Sequence, residues 1–284
     1  MSTVPPLTRA GAIQWARQSI DRLDARLLLE FVSGCTANAL IADPDVALEA
    51  LQQQRFTSLV ERRAAGEPLA YLVGQAGFYG DLLEVTPAVL VPRPETEDLV
   101  DWALEAVRAC KSPAILDLGT GSGAIALALA GARPDAQVTA VDVSPAALSV
   151  ASGNRQRLDR SNVQLICGSW YEGLTQTDLF DLIVSNPPYI PADDPHLVGD
   201  GVRFEPRLAL TDEADGLNAY RAIAAGALAY LKHGGWLLVE HGHDQAEAVA
   251  RIWAAAGLVN VTGRTDLSDN PRMTAGQKPE GLPV

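Results

Sequence analysis

An α/β fold built on a seven-stranded, mostly parallel sheet, with a small N-terminal helical domain and a β-hairpin linker, is predicted by three observations. Short apolar runs alternate with helical stretches after Ser112, a glycine-rich turn follows the first of those runs, and the first 75 residues carry apolar side chains at helical spacing. The chain is 284 residues long, 48% hydrophobic and 20% charged, which suits a globular protein with a core of its own. That length accommodates one large domain or a small domain plus a medium one.

In residues 1–75, Ile20, Leu23, Leu27 and Phe31 recur at three- and four-residue steps, Leu28 and Val32 widen the stripe, and Gly34 stops it. Asp43-Pro44 reads as a second helix start leading into Leu48, Leu51, Phe56, Leu59 and Val60. Both stripes are predicted to be core faces. From Tyr71 to Val91 β-branched and aromatic residues surround Gly80-Asp81, a two-residue turn signal, so a hairpin linker is expected over residues 76–95. Pro92 and Pro94 then stiffen the chain before a helix carrying Leu99, Trp102, Ala103 and Val107, and the second domain is expected over residues 96–284.

Its strands are predicted at Ala114–Leu118, Gln137–Val143, Val163–Cys167, Phe180–Ser185 and Gly235–Glu240, with late segments Val259–Asp266 and Arg272–Gly276 as an antiparallel edge pair. Helices are expected at Ala124–Ala130, after Ser144-Pro145, near residues 216–231 and near 244–256.

Composition removes several classes of function. The longest aliphatic run, Ala124 to Ala130, is far short of the roughly 20 residues of a membrane span. Met1 to Ala10 lacks the basic start and apolar core of a secretion signal, so a cytoplasmic protein is expected. The three cysteines, Cys35, Cys110 and Cys167, form neither a disulfide framework nor a metal knuckle, and His196, His233, His241 and His243 have no ligand set around them, so no metal is expected. A net charge of −13 argues against non-specific binding to nucleic-acid phosphate.

Three motifs carry chemistry. Asp117-Leu118-Gly119-Thr120-Gly121-Ser122-Gly123 lies between a strand and a helix, where glycines let the backbone turn tightly and approach a ligand. Asp142 ends the next strand, 23 positions after Gly119, where a carboxylate can accept the ribose hydroxyls of an adenosine. This pair serves NAD and S-adenosylmethionine equally well. Asn186-Pro187-Pro188-Tyr189 stands at the carboxyl end of the fourth strand of the sheet, where ligands bind in open α/β sheets.

The tetrad narrows the choice. A planar amino group about to be methylated needs acceptors for its two N–H bonds. The Asn186 side-chain oxygen and the Pro187 carbonyl are acceptors, and Pro187 has no N–H to compete. Tyr189 can cover a flat substrate group with its ring. Both acceptors favour the charge that develops on nitrogen over the neutral ground state.

Val91-Pro92-Arg93-Pro94-Glu95-Thr96-Glu97, the Asp117–Gly123 loop, Asn186–Tyr189, Val202-Arg203-Phe204-Glu205-Pro206 and Asp269-Asn270-Pro271-Arg272, with Asp24-Ala25 and Tyr71–Gly80 upstream, together resemble the PrmC (HemK) family. The resemblance implies a Rossmann-like methyltransferase that passes the methyl of S-adenosylmethionine to the side-chain amide nitrogen (N5) of the glutamine in the Gly-Gly-Gln motif of class I peptide release factors, leaving S-adenosylhomocysteine. It places the cofactor on Gly119, Thr120, Gly121, Ser122, Gly123, Asp142, Trp170 and Asn186, and the glutamine on Asn186, Pro187, Pro188 and Tyr189. It gives the helical domain, residues 1–75, the task of holding the release factor. Many relatives carry Asp before that tryptophan; Ser169 stands here, and an uncharged acceptor implies weaker cofactor binding. Arg93, Arg203, Glu205 and Arg272 receive no chemical role, and ion pairing or loop anchoring is expected of them.

Other readings remain open on the sequence. A ribosomal-protein glutamine would use the same pocket with a different docking surface. A DNA adenine is disfavoured by the acidic chain and by residues 1–75, where acids and bases are comparable in number. An NAD-dependent oxidoreductase leaves the Asn-Pro-Pro-Tyr tetrad unexplained, and an inert cofactor-binding scaffold has no use for two convergent acceptors.

Overall fold

The computed structural model describes residues 7–199, 201–266 and 268–281. Met1–Pro6, most of the stretch considered above as a secretion signal, lies outside the described residues. Contacts divide the chain into two compact units that part between Gly74 and Gln75.

Among the described residues the first unit is helical: α1 (Arg9–Ala16), α2 (Arg22–Ser33), α3 (Ala37–Ala42), α4 (Ala50–Ala64) and α5 (Leu69–Val73). Asp21 caps α2 by accepting from the backbone of Leu23 and Asp24, and Gly34 ends it with a left-handed φ of 69°. The expected stripe is rotated. Leu23 and Phe31 are exposed, and the face of α2 that enters the core is Asp24, Ala25, Leu28, Leu29 and Val32. Apolar residues occupy more than half of this helix surface, so spacing alone does not fix the phase. What does fix it is a carboxylate that spacing arguments exclude from a core: Asp24 meets Arg63 of α4 at 2.5 Å. Replacing Asp24 with Ala removes the charged partner of the half-buried Arg63 guanidinium, which keeps only its bond to the Glu67 carbonyl among the described residues, and is expected to cost this unit about 1–3 kcal/mol, read as a lower denaturation midpoint.

The second helix start also moves. Asp43-Pro44 is not a cap but the turn that closes α3, whose last residue is followed by Asp43. α4 begins after Glu49, whose side chain and that of Gln52 form a reciprocal capping box. Phe56, Leu59 and Val60 are buried as expected, while Leu51 in the first turn is exposed.

The second unit opens with the hairpin β1 (Gln75–Phe78) and β2 (Asp81–Glu84). Phe78 pairs with Asp81, so the two turn residues are Tyr79 and Gly80, one position earlier than the sequence suggested. Both have positive φ, 49° and 79°, as a primed hairpin turn requires. The hairpin is tied to the rest of this unit: Asn154 Oδ1 accepts from the Glu84 backbone, and Asn154 Nδ2 donates to the Glu84 and Ser122 carbonyls.

Beyond it come α6 (Glu95–Ala106), β3 (Ala114–Leu118), α7 (Ala124–Ala132), β4 (Gln137–Asp142), α8 (Pro145–Arg157), β5 (Val163–Cys167) and β6 (Phe180–Ser185). The chain then runs through short 3-10 turns to α9 (Asn218–Tyr230), β7 (Leu231–Glu240), α10 (Ala246–Ala255), β8 (Val259–Thr265) and β9 (Pro271–Gln277). Seven strands pair in the order β5-β4-β3-β6-β7-β9-β8; β9 is antiparallel to both neighbours and the other pairs are parallel. The strand order reverses between β3 and β6, leaving a crevice at their carboxyl ends.

Each face of the sheet is sealed. Ile115, Val138, Leu182 and Leu238 pack under α6 and α7, while Leu116, Ile183, Leu237 and Val239 pack under α9 and α10. Residues 125–130 of α7 are all buried, so this helix shows no polar face. The helices therefore hold the carboxyl ends of β3, β4 and β6 as a fixed rim.

Candidate active site

A cavity of about 320 Å³ opens at that rim. Its lining brings together Gly119, Thr120, Gly121 and Ser122 from the loop after β3, Asp142 at the end of β4, Trp170 after β5, and Asn186 and Pro188 after β6. Gly123, Pro187 and Tyr189 do not line it. Gly123 is the N-cap of α7 with φ 86°, Pro187 is buried, and Tyr189 packs against the core beneath α9 and α10.

The glycine loop has the shape that close approach demands. Gly119 and Gly121 have φ of 73° and 57°, and a Cβ built on either would meet no atom within 4 Å. The loop is held from below by Asp142: Oδ2 accepts from the Gly121 backbone N–H at 2.8 Å and Oδ1 from that of Ser144 at 2.8 Å. Each carboxylate oxygen has a second lone pair, so the group can still accept from a ligand. Asp117 is fully buried; its Oδ2 accepts from the Thr120 hydroxyl at 2.6 Å, and desolvation pushes its carboxyl up to about 7.

Asn186 is anchored by a relay. Its Nδ2 donates to Thr96 Oγ1 at 3.1 Å, and the Thr96 hydroxyl donates to Glu240 Oε2 at 2.7 Å. The Asn186 amide also lies beside the Glu240 carboxylate and favours its ionised form. Parallel pairing of Ser185 with Val239 puts Asn186 and Glu240 side by side at the ends of β6 and β7. Burial pushes the Glu240 carboxyl up to about 7, opposed by the Thr96 hydrogen bond and the Arg272 charge. Tyr189 rises to about 12, chiefly through desolvation and then through the Glu240 charge, so it stays a neutral phenol.

The remaining motif residues are anchors. Arg93 pairs with Glu205, whose other oxygen accepts from the Val91 backbone at 3.0 Å, so the chain before α6 and the turn at residues 202–204 are clasped together. Pro206 and Leu208, just past this clasp, form part of the cavity wall. Arg272 pairs with Asp266 at 3.3 Å and donates to the His241 carbonyl, and the Arg203 guanidinium lies over the Phe204 ring. Arg93 and Thr96 also line the cavity, and sequence reasoning gave neither a role in the site. Among the described residues no group of three or more His, Cys, Asp or Glu side chains is placed to hold a metal ion.

The donor set fits an adenosine-bearing sulfonium cofactor. An open glycine cradle, a carboxylate with free lone pairs at the next strand end and an indole beyond it line one cavity of ligand size. Ser169 is in this lining too, as an uncharged hydroxyl beside Trp170, which itself holds a left-handed φ of 52°.

A sheet of this order, with this loop and this rim, is that of a methyltransferase, and residues 111–267 match the methyltransferase domain family. The same fold occurs in the T. thermophilus 16S rRNA N2 G1207 methyltransferase, solved with AdoMet and guanosine, at a TM-score of 0.53 and 21% identity over 72% of this chain and 49% of that one. Residues 11–74 match the PrmC N-terminal domain family. The release factor glutamine methyltransferase of Burkholderia pseudomallei is 46% identical over 98% of this chain and 100% of its own length, and that of Bordetella pertussis is 48% identical over 92% and 96%. The chain belongs to the release factor glutamine methyltransferase family.

Proposed function

We propose that the chain transfers a methyl group from S-adenosylmethionine to N5 of the glutamine in the Gly-Gly-Gln motif of class I release factors, leaving S-adenosylhomocysteine. The observation that carries this reading is Asn186: its NH2 group is turned to Thr96, beside the Glu240 carboxylate, so its oxygen is the group left to accept within the cavity that the glycine loop and Asp142 also line. The relatives that match nearly the whole chain carry that activity in their names.

When bound, the cofactor supplies an electrophilic methyl on sulfur. Gly119, Thr120, Gly121, Ser122 and Asp142 would hold its methionine and ribose portions, with Gly123 turning the chain into α7 behind them, and Trp170 would flank the adenine. Asn186 Oδ1 accepts one N–H bond of the glutamine amide; the second acceptor is the backbone carbonyl of Pro187, whose ring is buried behind the wall between Asn186 and Pro188, and the pair turns the nitrogen lone pair toward the methyl carbon. The sulfur would keep the C–S electron pair as its methyl passes to the amide nitrogen. Positive charge grows on nitrogen between the two acceptors, and a proton then leaves it for water. Pro188 forms part of the wall around the amide, and Tyr189, packed on the core behind it, supports that wall.

In the domain division we propose, residues 1–75 dock the release factor, 76–95 form the linker and 96–284 carry the methyltransferase site. Removing residues 1–75 is expected to lower kcat/KM for intact release factor far more than for a short Gly-Gly-Gln peptide; equal losses on both would argue against docking. The direct test of the activity is mass spectrometry of release factor after incubation with the chain and S-adenosylmethionine. One methyl on the Gly-Gly-Gln glutamine is expected; a methyl elsewhere discards this partner.

A further inference from the structure

We infer that Thr96 and Glu240 are positioning residues that set the direction of the Asn186 side-chain amide, so that its oxygen and not its NH2 group faces the reacting nitrogen. The inference rests on Asn186 being the acceptor for the substrate amide, as proposed above. An asparagine amide has nearly the same shape in its two orientations, 180° apart, and the fold alone does not choose between them. The wrong orientation would place an N–H donor against the N–H bonds of the substrate and remove the acceptor that the developing charge needs.

The choice is made by the relay. Thr96 is the second residue of α6 and is buried, and its hydroxyl has one proton. That proton goes to Glu240 Oε2 at 2.7 Å, so Thr96 Oγ1 is left as an acceptor and takes an Asn186 N–H at 3.1 Å. Glu240, also buried, lies beside the same NH2 group, which favours its ionised form. Turned over, Asn186 Oδ1 would face the Thr96 lone pair and the Glu240 carboxylate and lose the Thr96 bond. The direction is imposed by the ionised carboxylate at the far end: a protonated Glu240 can donate to Thr96, which frees the Thr96 proton to point at Asn186 and removes the bias.

The groups facing Glu240 are Arg272 from β9, Glu95 and Thr96 from α6, Asn186 and Tyr189 from the chain after β6, and Tyr220 from α9, whose hydroxyl donates to the Glu240 carbonyl. His241, next in the chain, has its ring nitrogens against the Gly242 carbonyl and the Thr274 hydroxyl. Burial places the Glu240 titration near neutrality, so the ionised form is lost as the pH falls from 8 toward 6. Turnover is therefore expected to decline on the acid side through this residue.

The test is steady-state methylation of intact release factor by the full chain and its variants, with cofactor Kd by calorimetry. Thr96→Val removes the hydroxyl at nearly constant shape; kcat is expected to fall about tenfold while cofactor Kd moves less than about threefold. Thr96→Ser restores the hydroxyl and is expected to recover most of that loss, which a purely structural role for the threonine methyl would not allow. Glu240→Gln is expected to flatten the acid limb of the kcat profile, and it carries the test should Thr96→Val not fold. Asn186→Ala is the reference. A Thr96→Val chain that turns over within twofold of the parent while Asn186→Ala is inactive overturns the positioning role alone, as does an acid limb unchanged in Glu240→Gln. Parent-like turnover in Asn186→Ala, or a parent that methylates no release factor, removes the underlying reading and the positioning role with it.

Discussion

Asn186→Ala is expected to lower turnover by about 100-fold or more while leaving cofactor affinity within a few-fold of the parent. The magnitude follows from what the residue contributes at the moment of transfer. A neutral glutamine amide donates only modestly, but its N–H bonds strengthen as donors when nitrogen takes on positive charge. An acceptor fixed in place beforehand therefore stabilises the transition state more than the bound substrate. Removing one such group from a preorganised site costs about 10²–10³ in kcat. Asn186 is preorganised here: Thr96 holds it at 3.1 Å and the strand pairing of β6 with β7 fixes its backbone. In Asn186→Ala the Thr96–Glu240 bond has no reason to break, so the wall of the cavity persists and the glycine loop and Asp142, the proposed cofactor ligands, are expected to stay in place. The measurement is kcat with release factor beside calorimetric cofactor binding. Turnover equal to the parent's excludes Asn186 as the acceptor, and equal losses in kcat and affinity would make it a cofactor ligand first.

The legible part of this protein is the part whose signals are local. The Asp117–Gly123 loop, Ser144-Pro145 at the start of α8 and the short apolar runs of β3 to β6 each announce themselves within a few residues, and alternation of strand and helix then leaves few topologies. The position of Asn186 was readable for the same reason, since a strand followed by Asn-Pro-Pro must present that asparagine at a strand end. What escaped was long-range. The core face of α2 is set by Asp24 meeting Arg63, 39 positions away. The start of α4 is decided by a Glu49–Gln52 box that competes with a plausible Asp43-Pro44 cap. Thr96 sits among Glu95, Glu97 and Asp98 in the first turn of α6, and its partners Asn186 and Glu240 lie 90 and 144 positions further on. Nothing in the local pattern distinguishes a threonine that orients an amide from one that only fills a helix turn. Tyr189 shows the converse: a tetrad residue expected over the substrate packs instead against the core, with its carbonyl accepting from Gln245 at 2.9 Å.

Asp142→Ala is expected to raise the cofactor KM by roughly 10- to 100-fold, with kcat at saturating cofactor much closer to the parent. A hydrogen bond to a charged partner contributes about 1.5–3 kcal/mol, and a tenfold change in affinity corresponds to about 1.4 kcal/mol, so the loss of ribose contacts to this carboxylate gives that range. The same substitution strips the Gly121 and Ser144 backbone N–H groups of their acceptor, at 2.8 Å each, which loosens the loop that cradles the rest of the cofactor. Both effects act on binding of the methyl donor, and neither touches the Asn186 relay. Asp142→Asn is expected to be almost as damaging despite its similar shape. Its single oxygen can accept from Gly121 or from Ser144, and its NH2 group then meets the N–H of the other, donor against donor. Initial rates at varied cofactor and fixed release factor check both variants. A rise confined to the KM for release factor would remove Asp142 from the cofactor site and leave it as a brace for the glycine loop.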